Sequence, residues 1–141
     1  MRVFMQERAA IAKAQPNLAM GMALLYFGCR DPVKDYICAA ELEAWEAAGL
    51  VTLRPCFSHH PEVSGGFKYV GKRLEADKDE IVSLFRRGAK VFLCGSASKL
   101  AKSVNEVLEK TVMEYRDVGL EEARAWLAKQ KADRYVSDVF G

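Results

Sequence analysis

The sequence predicts a parallel α/β domain spanning residues 1–141, a sheet with helices on both faces. Short apolar runs alternate with segments whose apolar residues recur at a helical period, the order expected of a parallel sheet with crossover helices. The apolar runs are continuous rather than alternating, as in strands buried on both faces. Glycine, proline and aspartate stand at the junctions, where strands and helices must stop or start. Half of the residues are hydrophobic, 28% are charged and only 4 are proline, which describes a folded domain rather than a disordered tail.

Met1 to Ala14 carries Met1, Phe4, Met5, Ile11 and Ala12 at helical spacing, with no Ser, Thr, Asp or Asn to cap its entry; Pro16 and Asn17 end it. Ala23 to Cys29 reads as a buried strand. Asp31 followed by Pro32 is a helix start, a cap side chain followed by a preset φ, and Cys38, Leu42 and Trp45 form the buried stripe up to Gly49. Leu50 to Phe57 is the next strand; Pro55 cannot donate to a ladder and puts it at a sheet edge. A loop, His59 to Phe67, precedes a helix that starts at Asp77 and Glu80, carries Ile81, Leu84 and Phe85, and stops at Gly88. Lys90 to Cys94 is a short buried strand. After the turn Gly95-Ser96 come two helices: one with Leu100, Val104, Val107, Leu108 and Thr111 on one face, then Leu120 to Gln130, parted from it by Gly119. Arg134 to Phe140 closes the chain as a last strand.

Charge excludes some partners. With 21 basic and 19 acidic side chains the net charge is +2, which marks neither a nucleic-acid nor a membrane surface, so an anion site must be a local cluster. Four scattered cysteines (Cys29, Cys38, Cys56, Cys94) and two histidines form neither a zinc framework nor a disulfide scaffold; Cys38 and Cys56 read as buried thiols. No apolar run reaches the length of a membrane span and no signal peptide opens the sequence, which makes the cytosol the default location. Walker A, G-x-S-x-G and H-E-x-x-H motifs are all absent.

Ligands of an open parallel sheet bind beyond the carboxyl ends of its strands, which here selects Cys29-Arg30, Ser58-His59 and Cys94-Gly95-Ser96. Gly95-Ser96 before a long helix is a turn-permissive pair at a positive helix end. Cys94 reads either as a small hydrophobe ending a buried strand or as a thiol facing a bound ring. Arg30, Lys68, Lys72 and Arg73, with Ser58, either converge on phosphate through charge-assisted bonds or are solvated cations. On these grounds alone the chain is a parallel α/β domain suited to a nucleotide.

Four segments, in order, resemble one family. FMQERAAI is similar to the helix after the G-T-G-I-A-P-F-R-G-F turn of ferredoxin-NADP reductase-like domains. LLYFGCRDPVKDYICAAELEAWEAAGLV resembles the F-F-G-C-R strand, loop and helix, AKVFLCGSASKLAKSVNEVL the V-Y-V-C-G strand and turn, and RYVSDVFG the R-Y-x-x-D-V-W/F ending. Together they resemble the C-terminal NADP-binding domain of the NADPH–cytochrome P-450 reductase (diflavin reductase) family, and most of all fungal proteins that fuse a haem monooxygenase to its reductase. The resemblance implies a ferredoxin-NADP reductase-like fold and an NADPH–haemoprotein reductase, in which hydride passes from NADPH to FAD and electrons continue through FMN to a haem monooxygenase. It implies that Arg30 contacts the dinucleotide, Ser58 binds the 2′-phosphate, Lys68 lies near that phosphate and Tyr69 near the adenine, beside Gly95 and Ser96 of the turn. Cys94 and Asp138 correspond to residues that position and stabilise the nicotinamide, and Phe140 to the aromatic that covers the flavin ring.

Two departures bear on specificity. His59 stands where the family has arginine, and a neutral imidazole does not reproduce the bidentate phosphate contact of guanidinium. Gly71 replaces a glutamine, a lost polar contact for which Lys72 compensates in part. The third departure is larger: nothing in the sequence matches the family's first strand, its G-T-G turn, or its FAD and FMN modules. In the family's strand order, 3-2-1-4-5, that strand is central. Without it, unsatisfied strand groups at about 1–3 kcal/mol each weigh heavily against a total stability of roughly 5–15 kcal/mol. On this reading the isolated chain is N-terminally truncated, marginally stable or prone to aggregate, and inactive alone. Two other readings stand beside it: a stand-alone nucleotide-binding fragment, and a truncated gene product without function of its own.

Overall fold

Four strands pair two by two, and each pair is parallel. The computed structural model describes residues 1–141, and packing divides them into two compact units, Met1–Tyr69 and Val70–Gly141.

In the first unit, helix α1 (Arg2–Ala14) has no side-chain cap, in keeping with its sequence, and buries only Met5. Two arginines tie it down, Arg2 through Glu41 of the helix that follows β1 at 3.0 Å and Arg8 through backbone carbonyls. Arg8 donates through Nε to the Leu50 carbonyl at 2.7 Å and through its second guanidinium nitrogen to the carbonyl of Gly21. Strand β1 (Leu24–Cys29) lies parallel to β2 (Thr52–Phe57), in register from Leu24 with Thr52 to Cys29 with Phe57. β2 has no second partner, which accommodates Pro55; the Leu53 N–H donates instead to Glu46 at 2.7 Å. Buried Leu42, Val51, Cys56 and Phe57 make up the interior of this unit with Met5.

Two expectations are corrected here. β1 is half-buried and Gly28 is exposed, because a two-stranded sheet leaves its strands incompletely covered. The helix expected from Pro32 begins only at Ala39, as α2 (Ala39–Ala47). Asp31 does act as a cap, accepting from the N–H groups of Val33 at 2.8 Å and Lys34 at 3.1 Å, but only for a turn. Tyr36 then packs against Phe27 and Phe57, with centroids 4.7 and 5.7 Å away, and Cys38 breaks the helical path with a φ of 62°.

The second unit is mainly helical. Val70–Ala76 forms a helix that periodicity missed (α3), followed by α4 (Lys78–Arg86), β3 (Val91–Ser96), a π-turn over Ala97–Ala101, α5 (Lys102–Arg116), α6 (Leu120–Arg134) and β4 (Tyr135–Phe140). Gly71 lets α3 approach α5: a Cβ there would stand 2.1 Å from the Ser103 hydroxyl oxygen. Val112, Ala123 and Leu127 are the core of the α5–α6 hairpin, with Leu108, Met113, Val118 and Trp126 packed on it. Arg134 holds the start of β4 to the end of α4. It donates to the Ala89 carbonyl at 2.9 Å, its guanidinium carbon lying 3.7 Å from the Phe85 ring centroid. β3 and β4 run parallel, Val91 with Tyr135 through Ser96 with Phe140. β3 is not the buried strand that its apolar composition suggests, since Phe92 is 62% exposed.

Burial separates two aliphatic truncations sharply. Leu42→Ala, at a site 1% exposed, is expected to lower stability in a urea titration by about 2–5 kcal/mol. Val33→Ala, at a site 89% exposed, is expected to change it by no more than about 0.5 kcal/mol.

Candidate functional site

At the carboxyl ends of β1 and β2 the parallel ladder continues past both strands. The Ser58 N–H donates to the Cys29 carbonyl and the His59 N–H to the Arg30 carbonyl, each at 3.0 Å. Arg30, Ser58 and His59 are thus brought together through the backbone, with Arg30 and His59 exposed and Ser58 half-buried. Under them Phe27, Tyr36 and Phe57 form an aromatic cluster that fixes where the strands end. Cys29 stays a thiol in this setting: burial pushes its pKa up, with the Asp35 charge adding to it.

The loop after β2 is held from inside. Ser64, 4% exposed, closes the 3-10 turn Pro61–Ser64; its hydroxyl accepts from the Phe57 N–H at 3.1 Å and donates to the Phe67 carbonyl at 2.9 Å. Lys68 and Tyr69 follow immediately and are exposed. His60 sits between two carboxylates, with Nδ1 3.1 Å from Glu62 and Nε2 3.7 Å from Asp31. Backbone N–H groups of Val33 and Lys34 hold the Asp31 carboxyl below its usual range, and His60 adds to this.

In the second unit the pairing register does the assembling. Cys94 is the register partner of Asp138, Gly95 of Val139 and Ser96 of Phe140. Side chains alternate along a strand, so Cys94, Ser96, Asp138 and Phe140 share one face of this sheet. Phe92 and Val136, which sequence reasoning did not single out, share it too; both are more than half exposed. Cys94 is exposed, which removes the reading of a buried hydrophobe and leaves a thiol on an open face.

Gly95 and Ser96 are corrected in their role, since they end β3 rather than forming the turn. Gly95 has φ of 153°, and a Cβ there would lie 2.6 Å from the Leu100 Cδ2 atom, so only glycine fits. Ser96 caps the next segment, its hydroxyl accepting from the Lys99 N–H at 3.4 Å. The turn itself is Ala97–Ala101, one residue wider per turn than an α-helix.

The sequence-predicted residues therefore fall into two groups. Arg30, Ser58, His59, Lys68 and Tyr69 belong to the first unit; Cys94, Gly95, Ser96, Asp138 and Phe140 belong to the second. A hollow of about 350 Å³ in the second unit, lined by Ile81, Phe85, Leu108, Trp126 and Tyr135 among others, includes none of them. Sequence reasoning also missed Ser64 and His60. Ser64 lies three residues after Pro61, where a hydroxyl can bond back onto its own loop, the one signal that marks it. No helix is long and apolar enough to cross a membrane.

Comparison with known proteins shows what this chain is similar to. A bifunctional cytochrome P-450/NADPH–P-450 reductase of Fusarium oxysporum is 41% identical over 145 residues, covering 99% of the chain. A self-sufficient cytochrome P-450 monooxygenase of Phanerodontia chrysosporium is 43% identical over 141 residues, and a bifunctional cytochrome P-450/NADPH–P-450 reductase of Bacillus cereus 38% identical over 143. The chain spans 13% of the length of each of these relatives. No family profile matches it.

The aromatic cluster under the first group has a pH signature. Burial, aided by the Glu43 and Glu46 carboxylates, pushes the Tyr36 phenol from 10.0 up to about 12. The folded state thus holds this proton more tightly than the unfolded state. The associated stability is complete below pH 10 and is lost between pH 10 and about 12. Ultraviolet titration should show a tyrosine midpoint at about 12 that is lost in Tyr36→Phe; a Tyr36 midpoint at 10 would contradict the packing.

Proposed function

We propose that this chain, which belongs to the family of fused cytochrome P-450/NADPH–P-450 reductases, is their NADPH-binding segment. Its fold on this reading is ferredoxin-NADP reductase-like. The two parallel pairs are compatible with the 3-2 and 4-5 neighbours of the family's strand order 3-2-1-4-5. The observation that carries the reading is the register of β3 with β4. It sets Cys94 beside Asp138, and Ser96 beside Phe140, on one exposed face, although the two strands are far apart in sequence.

The residues present suit a phosphorylated dinucleotide. Arg30 and Lys68 supply cationic donors and Ser58 a hydroxyl for phosphate oxygens. Tyr69, 65% exposed, offers a ring against which adenine lies flat. His59 in place of a guanidinium makes the phosphate contact weaker than an arginine would. On the second unit, the Cys94 thiol and the Asp138 carboxylate, on strands about 4.8 Å apart, hold and orient the nicotinamide end. Phe140, 66% exposed, shields a flat ring until it is displaced.

When bound, NADPH supplies a hydride. The acceptor, FAD, and the onward route through FMN to a haem monooxygenase belong to other modules on this reading, so the chain alone binds but does not turn over. Calorimetry tests the phosphate site directly. The chain should bind 2′,5′-ADP more tightly than 5′-AMP. Ser58→Ala should weaken 2′,5′-ADP by about ten-fold, the worth of one hydrogen bond to a charged group, and leave 5′-AMP within about two-fold. Equal affinities of the unsubstituted chain for the two nucleotides would contradict the reading.

A further inference from the structure

Ser64 has no role in the phosphate site proposed for this chain, yet its hydroxyl joins the two segments of which that site is made. One bond reaches the N–H of Phe57, the residue before Ser58; the other reaches the carbonyl of Phe67, the residue before Lys68. The hydroxyl is buried, and its contact with Pro61 at 3.3 Å keeps it inside the loop. Other bonds tie the same loop at its start: His60 N–H to the Phe57 carbonyl at 3.2 Å and Ser58 N–H to Cys29 at 3.0 Å. At its far end the turn relies on Gly66 N–H to Pro61 at 2.7 Å and Phe67 N–H to Ser64 at 3.3 Å, neither of which reaches back to β2. Among these contacts, only the Ser64 side chain spans from the end of β2 to the start of Lys68-Tyr69.

We infer that Ser64 is a positioning residue for recognition of the 2′-phosphate: its buried hydroxyl sets the distance between Ser58-His59 on one side and Lys68-Tyr69 on the other. The inference rests on the proposed phosphate site. Chemically, a phosphate needs its donors at fixed separation, and the Ser64 hydroxyl bonds to both segments that carry them. With arginine replaced by His59, the site depends more on the placement of its remaining donors.

The test is the ratio of affinities for 2′,5′-ADP and 5′-AMP, measured by calorimetry on the full chain and its variants. Ser64→Ala should lower that ratio about five- to ten-fold, the scale of one lost hydrogen bond with an unsatisfied partner. Val51→Ala, which trims a residue 5% exposed in the same unit, should destabilise the chain but leave the ratio within about two-fold. Hydrogen exchange at the Phe57 amide should accelerate in Ser64→Ala and not in Val51→Ala. Should Ser64→Ala fail to fold, Ser64→Cys, near in size but a weak donor and acceptor, should lower the ratio in the same sense. An unchanged ratio in a folded Ser64 variant overturns the positioning role while leaving the phosphate site intact. A ratio of one in the unsubstituted chain overturns both, and is recognised before any variant is made.

Discussion

In a parallel pair both carboxyl ends emerge at the same edge, so the register of β1 with β2 and of β3 with β4 brings together segments that are distant in sequence. Arg30 meets His59 through that register and Cys94 meets Asp138 through it. A shift by one residue would turn Cys94 and Asp138 to opposite faces, because side chains alternate with a period of two. Glycine at 95 keeps the β3 end close to Leu100, and Arg134, the last residue of α6, anchors the chain just before β4. The chemistry of each edge thus depends on backbone pairing before it depends on any side chain.

The stability behind this arrangement is uneven. Buried apolar side chains are few, and in the second unit they concentrate in the α5–α6 hairpin rather than under the sheet. Ion pairs such as Arg2 with Glu41, Lys78 with Glu114 and Arg124 with Glu109 lie at the surface, where solvent screens them and they add little. Buried hydrogen bonds count for more, since breaking one leaves a partner unsatisfied. Ser64 stands out on that account, for the loop after β2; the Arg8 bonds that dock α1 are only partly shielded. The exposed face of β3 and β4 carries Phe92, Val136 and Phe140 together with the polar candidates, an apolar setting for a flat ring.

Much of this was legible in the sequence. The four strands, the cap at Asp31, the break at Gly119 and the α5–α6 hairpin follow from composition and period, because local preference and tertiary packing agree there. The strand ends Cys29-Arg30, Ser58-His59 and Cys94-Ser96 follow from the rule that ligands sit beyond carboxyl ends. Other features were not legible. Whether β1 and β3 are buried depends on how many strands flank them, which an apolar run does not encode. The late start of α2 reflects Tyr36 packing on Phe27 and Phe57, a tertiary contact that overrides a good local start signal. α3 escaped notice because Gly71 weakens its helical pattern while serving its contact with Ser103. Ser64 looks like any polar loop residue until its two partners are seen. Residue roles came from the family resemblance, and the register shows only that Cys94 and Asp138 are neighbours across the two strands.

On the proposed reading, each carboxyl edge is a nucleotide contact in its own unit, β1–β2 for phosphate and adenine and β3–β4 for the nicotinamide end. Amide hydrogen exchange of the full chain with and without saturating NADPH tests this most directly. Protection is predicted in two clusters, residues 29–31 with 57–60 and 67–70, and residues 94–98 with 137–140. Protection centred instead on the hollow between α4, α5 and α6, or none at either strand edge under saturation, would contradict it.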